Sequence, residues 1–409
     1  MQAKNIKKLS FGCRLNTLEA EKIQLMLASV FDAAIIVNTC AVTAEAERQS
    51  AQAIRRLSRE NPNAPIFVTG CAATRNPGIF TEIPNTVIVD NKDKMNLDAY
   101  TNALAAAPCH QIKPEIQKFN YKDSKLSKQF IQIQNGCNHR CSYCVTRLLR
   151  GKNVSFPYET VLHEVQNAVR DGFYEIVLTG VDIASFYIEN MRISDLCHRL
   201  LADVPEIQRL RLSSMDPASP EITKLLELMK RDRRMMPHMH LSMQSGSDTI
   251  LAAMLRRHNA DTVRQFVPGN NDNFTVSFSW DIICGFPGET PELFIETCDL
   301  VRELGPIKIH AFPFSARPGT AAADLPNHIN KSESKQRVKI ISELADENKR
   351  AFMKSQVGNI VTVLVEEKNI ARTPDDIEVH LTGDSVPART VCAVQLVDIS
   401  DLHFVGKIC

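Results

Sequence analysis

Gly136-Cys137-Asn138-His139-Arg140-Cys141-Ser142-Tyr143-Cys144 sets three cysteines at a C-x3-C-x2-C spacing on one short loop. The spacing is too short for a disulfide framework and leaves one ligand missing for a structural zinc site. Three thiolates on one loop can hold three irons of a [4Fe–4S] cube. The fourth iron then stays open, and an open metal position is what catalysis needs. S-adenosylmethionine (SAM) can chelate such an iron through its amino and carboxylate groups, and an electron from the cluster can then cleave its sulfonium bond. A partial zinc knuckle is the competing reading.

Outward from this loop, strands and helices alternate. Strands are expected at Phe130–Gln134, Glu175–Leu178, Arg209–Ser214, His238–Gln244, Phe278–Cys284 and Lys308–Phe314. Helices fall between them at Glu159–Asp171, Ser194–Val204, Pro220–Lys230, Asp248–His258 and Pro291–Leu304. These units take fewer residues than the roughly 250 of a closed eight-unit barrel. An open, partial (β/α)6 barrel is therefore expected, with the cysteine loop at its C-terminal mouth. Other strand ends carry small polar residues or glycine: Thr179-Gly180, Ser213-Ser214, and Gln244 before Ser245-Gly246-Ser247. Glycine lets backbone approach a nucleoside, and hydroxyls and amides can bond ribose or the methionine part of SAM. Thr179, Gly180, Ser213, Ser214 and Gln244, with Tyr143 of the loop, are the candidate SAM contacts. A tight turn explains any one of these motifs; their recurrence favours the site.

Upstream, the same alternation predicts a parallel sheet with helices on its faces. Strands are expected at Lys7–Phe11, Ala33–Asn38, Pro65–Thr69 and Thr86–Val89. An amphipathic helix through Glu19-Ala20-Glu21 follows the first, and Thr43 caps a long helix after the second. Cys13, Cys40 and Cys71 each come just after a strand. Ligands bind outside the carboxyl ends of such strands. Three cysteines far apart in sequence would converge there, which points to a second [4Fe–4S] cluster; three unrelated small residues at tight turns are the alternative. The helix from Thr43 carries Arg48, Arg55, Arg56 and Arg59, either a solvated face or contacts to phosphate.

The chain has 409 residues, 44% hydrophobic and 23% charged, with a formal net charge of +1. That balance argues against a large non-specific nucleic-acid footprint and leaves room for a local basic face. No apolar run is long enough to span a membrane, and the first residues do not resemble a signal peptide. A cytoplasmic location is expected, where the 12 cysteines would not form disulfides. Residues 108–128 read as a linker. A long charged helix from Lys331 leads to a β-rich tail of about the size of a small barrel. The expected division is 1–107, the linker 108–128, 129–355 and 356–409.

Taken together, these residues resemble the methylthiotransferases of the radical SAM superfamily along nearly the whole chain. The aromatic Tyr143 before the third loop cysteine is part of that likeness. Phe11-Gly12-Cys13-Arg14-Leu15-Asn16 and Asn38-Thr39-Cys40-Ala41-Val42-Thr43-Ala44-Glu45-Ala46-Glu47 look like the group that modifies N6-threonylcarbamoyladenosine beside the tRNA anticodon. The sister groups, which act on N6-isopentenyladenosine or on a ribosomal-protein aspartate, usually differ after the first cysteine. The tail is similar to a TRAM domain, a barrel associated with RNA. The family's Ile-Pro-Tyr-x-Arg-Gly run is here Thr146-Arg147-Leu148-Leu149-Arg150-Gly151, which keeps Arg150-Gly151 and loses the proline. Asn270-Asn271-Asp272-Asn273-Phe274 is polar for its place, and Ala371-Arg372-Thr373 stands for a usual Gly-Arg-Thr.

The resemblance implies a cluster on Cys137, Cys141 and Cys144 that cleaves SAM, and an auxiliary [4Fe–4S] cluster on Cys13, Cys40 and Cys71 that carries the sulfur. A methylthio group would go to carbon 2 of the adenine. Implied partners are the tRNA anticodon stem-loop, gripped in part by the tail through Arg372, and a reductant such as flavodoxin or ferredoxin.

Overall fold

A computed structural model describes residues 5–105, 126–267 and 276–409. Most of the expected linker, Cys109 and the polar segment Asn270–Phe274 lie outside the described residues. Two compact units result. One takes the described residues up to 105 with Gly136–Lys152 and Ser315–Ala323; the other takes 126–135, Asn153–Phe314 and Asp324–Cys409.

The first unit is built on β1 (Asn5–Ser10), β2 (Ala33–Thr39), β3 (Ile66–Gly70) and β4 (Thr86–Ile88), all parallel and in sequence order. Between them run α1 (Arg14–Ala28), α2 (Ala44–Glu60), α3 (Cys71–Arg75) and α4 (Gly78–Thr81), and α5 (Leu97–Ala105) follows β4. Alternate residues of β2 serve opposite faces, as strand geometry requires. Ile35 and Val37 pack with Ala51 and Ile54 of α2, while Ala34 and Ile36 pack with Ile23 and Leu27 of α1. On the second face Phe31, Phe67 and Tyr100 meet edge to face, with centroids 5.2 Å apart in each contact. Thr43 caps α2 as expected, its hydroxyl accepting from Ala46 N at 3.1 Å. Helix α1 departs from the amphipathic expectation. Glu19, Ala20, Glu21, Lys22 and Ile23 are buried in succession, so polar groups on its length need internal partners.

The second unit begins with β5 (Gln129–Gln132) and β6 (Gln134–Asn135). The chain passes through α6 (Thr146–Arg150), which belongs to the first unit, and returns at β7 (Val154–Ser155) and α7 (Tyr158–Arg170). Then come β8 (Glu175–Thr179), the hairpin β9 (Tyr187–Ile188) and β10 (Met191–Arg192), α8 (Ile193–Asp203), β11 (Arg209–Leu212) and α9 (Ile222–Arg231). β12 (His238–Gln244), α10 (Asp248–Ala253), α11 (Ala260–Arg264), β13 (Ser277–Cys284), α12 (Pro291–Leu304) and β14 (Lys308–Pro313) complete the pattern. Strands β5, β8 and β11 form one parallel sheet, and β12, β13 and β14 another. Parallel bridges Leu210–Met235 and Met215–Leu241 join the two. The row keeps sequence order, and among the described residues its outer strands β5 and β14 do not pair with each other. This is the open six-strand arrangement expected. Of the helix expected over Asp248–His258 only α10 forms, because the chain turns at Leu255, which has φ +57°; α11 starts beyond that span.

After α13 (Lys331–Gln356) the tail forms a closed barrel of β15 (Ile360–Glu367), β16 (Ile370–Arg372), β17 (Glu378–Thr382), β18 (Val391–Ser400) and β19 (His403–Ile408), in the order β15-β16-β17-β19-β18. Val363, Val365, Val379, Val394, Leu396 and Phe404 fill it. At Gly406 a Cβ would lie 2.5 Å from Val394 Cγ1, so only glycine fits this turn of the wall. No described helix is long and apolar enough to cross a membrane.

Candidate metal centre

The parallel register aligns the ends of β1, β2 and β3, with Ser10 opposite Asn38 and Thr39 opposite Gly70. Cys13 caps α1, Cys40 follows β2 directly, and Cys71 opens α3, so the three cysteines gather at one sheet edge. Cys40 and Cys71 are buried and Cys13 is exposed. Two glycines make this close approach sterically allowed. Gly12 has φ +88°, and a Cβ there would sit 2.5 Å from Cys40 Sγ; Gly70 has φ +94°, and its Cβ would meet Asn38 Oδ1 at 2.3 Å. Val42 N donates to Cys40 Sγ at 3.5 Å. Burial pushes the Cys40 thiol up to about 11, against the Val42 N–H, and the neighbouring Cys13 and Cys71 raise it further. A bound metal supplies the charge that ionises a thiol held up in this way.

The loop Gly136–Cys144 is shaped by similar means. Gly136 has φ +70°, and a Cβ there would strike Lys152 O at 2.0 Å. Cys137 N donates to Gly151 O at 3.1 Å, and Cys144 N to Cys141 O at 3.1 Å. Backbone donors point at sulfur: His139 N to Cys137 Sγ and Thr146 N to Cys144 Sγ, each at 3.4 Å. Ser142 O accepts from Ala322 N at 2.8 Å, which ties the loop to residues 315–323 of the same unit. Tyr143 is half-buried. None of the six cysteines is joined in a disulfide to another described residue. Two sets of three thiols, with N–H groups aimed at sulfur and glycines that no side chain could replace, fit two [4Fe–4S] clusters.

A buried ionic network lies beside the first triad, and sequence reasoning missed it. Glu19 of α1 accepts from Lys94 Nζ at 2.5 Å and from Arg150 Nη1 at 2.8 Å. Arg150 Nη2 donates to Asn16 Oδ1 at 2.7 Å. Asn16 Nδ2 donates to Phe11 O at 2.9 Å and Thr39 O at 3.1 Å, the turns that carry Cys13 and Cys40. Asn38 Nδ2 donates back to Asn16 O, and Thr39 Oγ1 to Thr69 O. The side chains of Asn16, Asn38 and Thr39 thus bond the cysteine turns to one another. The available signal for Glu19 was the run of polar residues on a helix between two buried strands.

In the second unit the candidate SAM contacts stand at the carboxyl ends of their strands. Thr179 ends β8, and Ser213 follows β11 beside it, with Ser213 N donating to Leu178 O at 2.9 Å. Ser214 is exposed. Gln244 ends β12 with φ +72°. Gly180 lies against Gln134, where a Cβ would be 2.8 Å from its carbonyl and side-chain oxygens. Gln134 Oε1 accepts from Val181 N at 2.9 Å and Asp182 N at 2.8 Å, so this glutamine shapes the turn; it was not singled out beforehand. Asp216, paired with Arg257 at 3.0 Å and Arg256 at 3.4 Å, was also missed. Of the candidate tRNA contacts, Arg48, Arg55, Arg56 and Arg59 are exposed on α2. Arg372 on β16 is half-buried, its Nε donating to Glu366 at 2.8 Å.

Residues 131–301 match the radical SAM superfamily, and residues 5–90 match the uncharacterized protein family UPF0004. The chain is 38% identical to the threonylcarbamoyladenosine tRNA methylthiotransferase MtaB of Rickettsia prowazekii (strain Madrid E), over 91% of this chain and 90% of that one. It is 30% identical to the tRNA-2-methylthio-N(6)-dimethylallyladenosine synthase of Ruthia magnifica subsp. Calyptogena magnifica, over 93% and 94%. Among solved structures it resembles the radical S-adenosylmethionine methyltransferase TsrM from Kitasatospora setae with cobalamin and a [4Fe–4S] cluster bound, at a TM-score of 0.54 and 16% identity, over 71% of this chain and 65% of that one. That last likeness speaks for the fold alone.

Proposed function

Because the chain belongs to the tRNA methylthiotransferase family of the radical SAM superfamily, we propose that it attaches a methylthio group to carbon 2 of N6-threonylcarbamoyladenosine beside the anticodon of tRNA. The observation that carries this reading is that both cysteine triads fall within one compact unit. Cys137, Cys141 and Cys144 would hold the cluster to which SAM binds, and Tyr143 is a proposed SAM contact beside them. Cys13, Cys40 and Cys71 hold the auxiliary cluster. Thr179, Gly180, Ser213, Ser214 and Gln244 are the proposed SAM contacts of the six-strand row.

When bound, the two clusters and SAM supply the electron, the one-electron cleavage and the sulfur that an aromatic C–H bond demands. The chain's own residues bind and orient. Gly12, Gly70 and Gly136 let backbone close around the thiols. The N–H groups of Val42, His139 and Thr146 hold sulfur in place. The target base enters splayed out of the anticodon loop. The tail barrel and the exposed arginines of α2 contact the stem-loop, and a flavodoxin or ferredoxin supplies electrons in the cytoplasm.

Arg14-Leu15-Asn16 after Cys13 favours the threonylcarbamoyl group over its sisters. Nucleoside mass spectrometry of tRNA from cells with and without the gene tests this. Loss of 2-methylthio-N6-threonylcarbamoyladenosine, with accumulation of the unthiolated base, is expected. Loss of the methylthiolated isopentenyladenosine instead would reassign the base, and an unchanged tRNA profile would move the search to a ribosomal-protein aspartate. In the purified enzyme, Cys141→Ala abolishes SAM cleavage, whereas Cys40→Ala spares it and abolishes sulfur insertion. Methylthio product from the Cys40 variant would overturn the auxiliary-cluster role.

A further inference from the structure

Arg150 closes the helix that follows the loop cysteines, yet its side chain, 3% exposed, is committed to the other triad's surroundings. Its Nη1 donates to Glu19 Oε1 at 2.8 Å, and its Nη2 to Glu19 Oε2 at 3.1 Å and Asn16 Oδ1 at 2.7 Å. An ion pair with Glu19 needs only the carboxylate. The added bond to Asn16 attaches the guanidinium to the side chain that bridges the turns before Cys13 and Cys40. Asn91 Nδ2 donates to Leu149 O at 2.8 Å, and Leu149 packs on the same core as Cys71, Ala72 and Ala73. Lys94, also buried, donates to the same carboxylate at 2.5 Å. Glu19 thus gathers Lys94 and Arg150 into one buried network that reaches the turns of Cys13 and Cys40 through Asn16.

We propose that Arg150 is a positioning residue with two effects: it locks the 137–144 loop to the turns of Cys13 and Cys40, and its fixed charge raises the reduction potential of the cluster held by Cys13, Cys40 and Cys71. The proposal rests on the reading that this triad holds a cluster. A buried cation stabilises the added electron far more than an exposed one, because little water screens it. The fork of an arginine spans Glu19 and Asn16 together; a lysine keeps the charge and cannot make both contacts at once.

The test uses the full-length chain with Cys137, Cys141 and Cys144 changed to alanine, so that any cluster signal reports the remaining triad. The chain is reconstituted anaerobically with iron and sulfide, assayed for iron and titrated by EPR-monitored reduction. Arg150→Gln shifts the midpoint to a more negative potential. Arg150→Lys holds the midpoint near the parent value and alters the EPR line shape, because the Asn16 anchor is lost. Glu19→Gln shifts the midpoint the opposite way, to a more positive potential. If the Arg150→Gln chain does not hold iron and the Arg150→Lys chain does, the charge requirement is upheld. Equal midpoints and line shapes across these chains, at full iron content, would overturn the proposal. A parent chain that takes up no iron at this triad would overturn the cluster assignment beneath it.

Discussion

Glu19 in α1 and Glu175 at the start of β8 have nearly the same immediate surroundings. Each is 1% exposed, and each is held by two cations, Arg150 and Lys94 in one unit, Arg209 and Arg211 in the other. Each carboxyl is held down to about 2: burial pushes it up, and the two cations pull it further down. The difference lies in where the cations send their remaining N–H groups. Arg209 donates to Thr362 O at 3.0 Å, Thr373 O at 2.9 Å and Arg372 O at 3.3 Å, all backbone of the tail barrel. Arg150 donates to Asn16, which sets the cysteine turns. One network clamps a domain to its neighbour within a unit; the other reaches the chemistry. Charge count does not tell them apart, and the third partner does.

The largest effect expected from this contrast is on stability. Glu175→Gln takes from the buried Arg209 and Arg211 the carboxylate that pairs with both, which costs roughly 3–5 kcal/mol. Arg209→Leu removes donors from three barrel carbonyls and should expose the junction around Gly358 to limited proteolysis. Thermal unfolding and proteolysis of the apo chain measure both. The iron content and EPR signals of the reconstituted chain should not change with either. A shifted cluster signal in Arg209→Leu would erase the distinction between the two networks.

Acid should probe both glutamates with the same sign. Their folded pKa of about 2 lies below the ordinary carboxylate value of 4.5, so the unfolded chain binds more protons in between. Stability is fully present above pH 4.5 and is lost as pH falls towards 2, by about 3 kcal/mol for each group. His238 adds a slope at higher pH. Burial lowers it from 6.5 to about 3, and among the described residues no hydrogen-bond partner satisfies its Nδ1. Stability therefore falls as pH drops below 6.5. Unfolding of the apo chain across pH 7 to 3 should show both slopes, and Glu19→Gln or Glu175→Gln should flatten the acid limb by up to one proton each. A variant that keeps the parent slope would show that its glutamate titrates normally in the folded chain.

These networks also mark where the sequence stops being legible. The strand ends and the Thr43 cap could be read because each is a local rule of backbone or capping. The six-strand row followed from alternation alone. Arg209-Leu210-Arg211-Leu212 alternates as a half-solvated strand would. Yet both arginines are buried, because the sheet is covered on both faces and Glu175 sits opposite Arg209 in the register. Only the strand pairing reveals that partner. Glu19 and Lys94 are 75 positions apart and meet only once the sheet has formed. Gln134 is likewise ordinary in sequence and becomes informative through the backbone it accepts from. The hairpin at Tyr187–Arg192 and the three-residue β16 are too short for a periodic pattern to register.

The smallest effects are expected on the surface of α2, where the same question of partners separates arginines that look alike. Arg48 is fully engaged by Glu45, with Nε to Oε2 at 2.9 Å and Nη2 to Oε1 at 2.6 Å, and Arg56 lies 3.8 Å from Glu60. Arg55 and Arg59 have no ion-pair partner among the described residues. None of the four should move the unfolding midpoint when changed to alanine, because exposed pairs contribute little. Binding of an anticodon stem-loop should discriminate among them. If α2 contacts phosphate, Arg55→Ala and Arg59→Ala each reduce the slope of log affinity against log salt by about 1. Arg48→Ala reduces it less, since removing that cation also frees a carboxylate that repels the backbone. Arg372→Ala should instead lower stability, because Glu366 and Asp376 already hold that guanidinium at 2.8 Å and 3.8 Å. An Arg55→Ala, Arg59→Ala double variant with the parent salt slope would remove α2 from the tRNA surface and leave the tail barrel to supply the footprint.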